Sequence, residues 1–226
     1  MAYRILSTKK LLPNQRHFLL NAGLKVVEAN FIATNLKPFN INAVNQNLVF
    51  TSRNGFMAFL AHKLSGIYVG SNVFCVGLTT HTLIQNYGFR VVASADNAQQ
   101  LANIIISNHN TESFTFFSGS LRRDTLPALF ENAGVAFNEV QVYNTQLTPH
   151  KITVPLDGLL FYSPSGVESY LKENTIINEA CFCIGTTTAQ ALHGITTNII
   201  TANQPSIENV IVQVRNYFSQ LNLNNI

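Results

Sequence analysis

Short apolar runs alternate with amphipathic stretches along nearly the whole chain. "YRILST" reads as a strand, Lys10 to Ala22 as a helix ended by Gly23, and "LKVVEA" as the next strand. The alternation continues through strand 48–50, helix 53–62, strand 73–76, helix 79–87 closed by Gly88, strand 89–93 and helix 97–106. Strand 114–117, helix 124–132 closed by Gly134, and strand 135–143 complete a first series. A second series follows: strand 158–161, helix 164–171, strand 181–184, helix 187–193 closed by Gly194, strand 198–201 and helix 206–219. Repeated βα units of this length predict α/β architecture, with parallel sheets covered by helices on both faces in a doubly wound, flavodoxin-like arrangement.

The two series share wording. "FTSRNGFMAFL" (50–60) and "FYSPSGVESYL" (161–171) place Phe, Ser and Gly at a constant offset of 111. "FCVGLTTHTL" (74–83) and "FCIGTTTAQAL" (182–192) match at an offset of 108. The repeat predicts two related sheets. The leading βαβ, residues 2–28, precedes the first copy and could extend either sheet. Two polar, Pro-containing stretches, "ATNLKPFN" (33–40) and "NTQLTPHKITVP" (144–155), look like paired crossings between domains.

Composition narrows the chemistry. Only 11% of the 226 residues are charged, against a typical value of roughly 25%, and Asn, Ser and Thr carry the polar surface instead. No apolar run approaches the ~20 residues of a membrane span, and "MAYRILSTKK" enters a strand without a signal-peptide core, so a cytoplasmic protein is expected. Cys75, Cys181 and Cys183 sit in strand-like apolar runs and read as buried reduced thiols. The net charge of +3 is uneven: residues 1–95 hold nine Lys/Arg and one acid, residues 96–226 five Lys/Arg and ten acids. A basic half suggests an anionic partner. The cations are scattered and lack interleaved aromatics, which speaks against nucleic acid.

In an open α/β sheet, ligands bind outside the carboxyl ends of the strands, where helix N-termini present free N–H groups. Both repeated motifs fall there. Thr51/Ser52 and Tyr162/Ser163-Pro164 end a strand and open a helix; so do Thr79/Thr80 after Gly77, and Thr186/Thr187/Thr188 after Gly185. One hydroxyl suffices for a helix cap, yet each turn offers two or three beside a glycine. Together they suit an anionic ligand held without metal or nucleophile. "FFSGSLRRDTLPALFENAG" (116–134) is another strand-to-helix turn, with Gly119, the pair Arg122 and Arg123, and an Asp124 able to cap. An Arg at such a mouth can grip a carboxylate. Tyr143, closing "EVQVYNT", is a candidate donor from a strand end. No G-x-S-x-G, P-loop, H-E-x-x-H or G-x-G-x-x-G occurs, and the six His show no ligand spacing.

The ordered set "FTSRNGF", "VGLTT" with Gly88, "SGSLRRDTLPALFENAGV" running into "VQVYNT", "FYSPSGV" and "IGTTTAQAL" resembles the uroporphyrinogen-III synthase family over about residues 48–195. Arg53, Gly55-Phe56, His81 and Thr186 stand where relatives commonly carry other residues. The resemblance implies two α/β domains joined by a two-stranded linker: 1–33 plus 150–226, and 36–143, with 34–35 and 144–149 as linkers. It implies a carbon–oxygen hydro-lyase, working as a monomer without cofactor or metal, that turns hydroxymethylbilane into uroporphyrinogen III in a cleft between the domains. It assigns Tyr143 to departure of the hydroxyl. Thr51, Ser52, Gly77, Thr79, Thr80, Gly119, Arg123, Ser163, Pro164, Gly185, Thr187 and Thr188 become expected substrate contacts. A non-enzymatic two-domain module that closes on a small anion is the competing expectation.

Overall fold

The structure is a computed structural model that describes residues 2–40 and 44–224. In chain order these form β1 (Arg4–Ser7), α1 (Pro13–Asn21), β2 (Lys25–Glu28), β3 (Ile32–Leu36), β4 (Asn47–Phe50), α2 (Arg53–Leu60) and a 3₁₀ turn at Ser65–Tyr68. Then come β5 (Asn72–Val76), α3 (Leu78–Asn86), β6 (Arg90–Ala95), α4 (Ala98–Asn108), β7 (Ser113–Gly119), α5 (Thr125–Ala133) and β8 (Ala136–Leu147). The chain continues with β9 (Gly158–Phe161), α6 (Pro164–Leu171), β10 (Ala180–Cys183), α7 (Thr186–Gln190), β11 (Ile199–Thr201) and α8 (Ile207–Asn224). No described helix is long and apolar enough to cross a membrane.

The chain divides into two compact units, Met1–Ala33 with Gln146–Ile226, and Thr34–Thr145. The boundaries fall inside β3 and β8, which neighbour each other in one sheet. Counted by unit, the charges come to eight Lys/Arg against six acids and six against five. The basic half of the sequence is therefore not a basic body, and the case for an anionic ligand rests on local groups.

The discontinuous unit has the sheet order β2-β1-β9-β10-β11, with all four pairings parallel. This is the flavodoxin order. The inserted unit orders its strands β3-β8-β7-β4-β5-β6, the β4 to β8 part being the other common doubly wound order, with β4 in the middle. Central strands buried on both faces read as unbroken apolar runs, and "NLVF", "GLLF" and "ACFC" are buried throughout. Their residues alternate between two cores. In the inserted unit Leu48, Phe50, Val73, Cys75 and Phe117 face α2, while Val49, Phe74, Phe114 and Phe116 pack with Leu101, Leu126 and Phe130. Phe50 stacks on Phe117 with ring centroids 5.0 Å apart. In the other unit Cys181 and Cys183 share one core, as their spacing predicts, and Phe182 joins the opposite one. Burial pushes the Cys75 thiol up to about 11 and the other two to about 12, so all three stay protonated and unreactive at neutral pH.

Several local features differ from the sequence expectation. α7 spans five residues, ending before the expected 193. Asp124 occupies the cap position of α5 but makes no cap hydrogen bond, because its carboxylate pairs with Arg122. The β7–β8 register also slips: Ser118 pairs with Gln141, but Gly119 pairs with Tyr143. This bulge inserts one residue into β8 and brings Val140, Val142 and Tyr143 onto the same core.

The paired glycine turns are not equivalent. Gly77 has φ 86° and ψ 138°, a region open essentially to glycine alone, whereas Gly185 is fully extended at φ −175° and ψ 173°. A Cβ at either meets no atom within 4 Å. Gly77→Ala is expected to lower unfolding stability by about 1–3 kcal/mol, and Gly185→Ala by less than about 1 kcal/mol, as a poorer cap residue. Denaturant titration of the two variants checks this asymmetry.

Candidate functional site

Ligands of doubly wound sheets sit beyond the strand carboxyl ends at the point where the strand order reverses. In the inserted unit the chain runs from β4 outward to β5 and β6, then returns to β7 and β8, so the reversal lies between β4 and β7. The turns there are Thr51–Ser52 and Gly119–Ser120.

Ser52 caps α2, accepting the Gly55 N–H at 3.1 Å. Its hydroxyl also lies 3.2 Å from the Tyr143 hydroxyl, which arrives from β8. Tyr143 reaches this point because its ring crosses directly over Gly119: a Cβ there would collide with Cζ, Cε2 and Oη of the tyrosine. The Tyr143 carbonyl is fixed by the Ser120 N–H at 3.1 Å, and the Ser120 hydroxyl accepts the Thr145 N–H at 3.0 Å. Sequence reasoning named Ser52, Gly119 and Tyr143 separately; the fold makes them one contact set. Thr51 is half-buried and Thr79 exposed at the neighbouring strand ends, beside Gly77. Thr80 is 3% exposed, and its hydroxyl makes no hydrogen bond among the described residues.

The two arginines are separated by their partners. Arg122 donates from Nε and Nη2 to the Glu139 carboxylate at 2.6 and 2.8 Å, and from Nη1 to Asp124. Burial alone would raise the Glu139 carboxyl, but the Arg122 guanidinium outweighs it and holds the group below the usual carboxylate range. Arg123 is exposed and makes no ion pair among the described residues. His81 lies at the surface, 3.2 Å from the Ser94 hydroxyl.

The discontinuous unit reverses its strand order between β1 and β9. Ser163 caps α6, accepting the Gly166 N–H at 3.0 Å, with Pro164 at the first helical position. On the adjacent strand β10, Gly185 leads into Thr186, Thr187 and Thr188, the last only 2% exposed and again without a side-chain partner among the described residues. Beyond β1, the Ser7 hydroxyl donates to the Lys9 carbonyl at 2.5 Å and touches the Tyr162 hydroxyl at 3.1 Å. Ser7 has one proton to give, so the phenol donates to Ser7. Burial pushes the Tyr162 phenol far above the ordinary tyrosine range, which keeps that donor in place. The Thr8 hydroxyl donates to the Leu160 carbonyl at 2.7 Å.

Each reversal point thus holds a Ser-capped helix, a glycine three residues on, and a Tyr–Ser hydroxyl pair. Gly55 lies against the Phe117 carbonyl and Gly166 near the Thr8 hydroxyl, each facing across to the strand on the other side of the reversal. Sequence reasoning missed Ser7 and Thr8. The hydroxyls and cations of "ILSTKK" at a strand end were the available signal, but the internal repeat starts after them.

The geometry has counterparts among known proteins. A crystal structure of uroporphyrinogen-III synthetase from Helicobacter pylori matches with TM-score 0.71 at 17% identity, over 96% of this chain and 100% of the other. A mutant uroporphyrinogen III synthase from Thermus thermophilus matches with TM-score 0.69 at 12% identity, over 97% and 100%. At such identity these likenesses speak for the fold. The sequence itself carries the lineage, since the family described as uroporphyrinogen-III synthase HemD matches residues 17–211. With the ordered motifs lying within that match, the chain belongs to the uroporphyrinogen-III synthase family of enzymes.

Proposed function

We propose that this enzyme converts hydroxymethylbilane, a linear tetrapyrrole with eight carboxylates, into uroporphyrinogen III with loss of water. The observation carrying the reading is the Tyr143 phenol, placed over Gly119 and 3.2 Å from Ser52 at a strand-order reversal. Ser52 already accepts the Gly55 N–H. Its own proton can then go to the Tyr143 oxygen, which frees the phenol proton for the departing hydroxyl. Water leaves, and the pyrrole nitrogen's electrons generate an electrophilic azafulvene. The substituted carbon of the terminal ring attacks it; the resulting spiro intermediate fragments and recloses through that ring's unsubstituted carbon with the ring inverted, and the proton lost from that carbon restores the phenol. The pyrroles supply the electron push, so the protein needs a proton donor and a fixed substrate conformation rather than a nucleophile.

Thr51, Ser52, Gly77, Thr79, Thr80, Gly119 and Arg123 in one unit, and Ser163, Pro164, Gly185, Thr187 and Thr188 in the other, are the proposed substrate contacts. On this reading the enzyme works as a monomer. Three unpaired buried thiols support a reducing compartment such as the cytoplasm. The alternative of a non-enzymatic binding module gains nothing from the family match. Incubation with hydroxymethylbilane, with the uroporphyrinogen isomers resolved, decides between them: isomer III forms in excess if the proposal holds, and only spontaneous isomer I forms if it fails.

The hydroxyl contacts carry their own expectation. Thr80→Ala and Thr188→Ala each weaken substrate binding by about 0.5–1.5 kcal/mol, because neighbouring backbone donors remain. Ser52→Ala and Ser163→Ala each lose a helix cap and about 1 kcal/mol of stability. Both also weaken substrate binding, less than the threonine changes do, and Ser52→Ala in addition slows turnover, since Ser52 touches Tyr143. Steady-state kinetics beside thermal unfolding checks all four.

A further inference from the structure

The loop from Thr8 to Leu12, at the reversal point of the discontinuous unit, is hydrogen-bonded at every residue. The Thr8 N–H and hydroxyl both go to the Leu160 carbonyl, and the Thr8 carbonyl accepts the Phe31 N–H at 3.1 Å. The Lys9 carbonyl accepts from Ser7. The next three amides are each met by a different side chain: Lys10 N–H by Asn30 at 2.9 Å, Leu11 N–H by Glu28 at 2.8 Å, and Leu12 N–H by Gln15 at 2.9 Å. Those acceptors are themselves engaged, Glu28 with Arg16 at 3.1 Å and Gln15 with Glu208 at 2.7 Å.

What this frame leaves uncommitted is positive. Lys9 and Lys10 are both exposed, and neither ammonium makes an ion pair or hydrogen bond among the described residues. The one carboxylate bound to the loop, Glu28, is already neutralised by Arg16. The Lys9 N–H also has no partner among the described residues. A hydrogen-bonded loop that holds two free cations, and whose Thr8 hydroxyl lies near Gly166 of the helix capped by Ser163, has paid its ordering cost before any ligand arrives. A solvated surface lysine needs no such frame.

The geometry points to the Lys9–Lys10 loop as a carboxylate-gripping element of the substrate site. It rests on the proposed polycarboxylate substrate, and it lies outside the span matched by the family, which begins at residue 17. The lysines act as point charges that recruit and place substrate carboxylates.

The test uses binding, so that it stands apart from catalysis. Fluorescence titration with uroporphyrin, an octacarboxylate, is compared for the unmodified chain, Lys9→Gln, Lys10→Gln and the double variant. Each single change is expected to weaken binding by roughly two- to fivefold, the double change by about tenfold, and the loss to shrink as salt screens the charges. Lys→Arg at both positions restores affinity, and thermal unfolding is unchanged throughout. Equal affinity in all variants, or no uroporphyrin binding by the unmodified chain, overturns the inference. Lysine-dependent binding without isomer III formation upholds it while removing the synthase reading.

Discussion

Tyr143→Phe leaves the protein folded and able to bind substrate, while isomer III formation falls by about 10²–10⁴-fold, the usual worth of positioned acid assistance. The ring packs over Gly119 and against the α2 core, and Phe keeps those contacts. Only the oxygen is removed, and with it the hydroxyl 3.2 Å from Ser52. A packing tyrosine would give a near-silent substitution. A variant with a native rate of isomer III formation therefore removes Tyr143 from the chemistry and leaves substrate conformation as the source of rate.

Gly119→Ala reaches the same endpoint by steric means. The added methyl occupies space filled by Cζ, Cε2 and Oη of Tyr143, so the ring must leave its place above the strand end. Turnover is expected to fall at least as far as in Tyr143→Phe, and stability by about 1–3 kcal/mol for the overpacking. The double variant separates causes. If Gly119 acts only by seating the phenol, Gly119→Ala adds little further loss of turnover to Tyr143→Phe, a non-additivity expected of residues in contact. Independent, additive losses would show that Gly119 serves the reaction in another way, such as direct backbone approach to substrate.

Much of this was visible in the residues. Helix ends marked by glycine and buried strands marked by unbroken apolar runs are local signals, and "NLVF", "GLLF" and "ACFC" fall where their composition puts them. The duplicated motif also pointed to the strand ends where both serine caps lie. Tertiary pairing was not legible. Nothing in "EVQVYNT" announces the bulge, since period-two alternation would send Val142 and Tyr143 to opposite faces. The capacity of Asp124 to cap was real, but a neighbouring guanidinium competed for its carboxylate and won. Ser7 and Thr8 became important only because β1 lies beside β9, a contact between residues far apart in sequence. The charge asymmetry between halves misled for the same reason, because the chain crosses between units and mixes those halves.

That crossing has a consequence for how the protein is made. β1 is an interior strand of its sheet, paired to β2 on one side and β9 on the other. It is translated before its partners in that sheet, and roughly 150 residues separate Ser7 from Gly158. At ~5–20 residues per second, the ribosome takes on the order of 8–30 s to deliver that partner. The inserted unit, Thr34–Thr145, emerges whole in the interval and can fold as a contiguous body. Throughout that time β1 presents one unpaired, apolar edge to the cell. The nascent chain is most exposed to aggregation and most dependent on chaperones before its second series of strands appears.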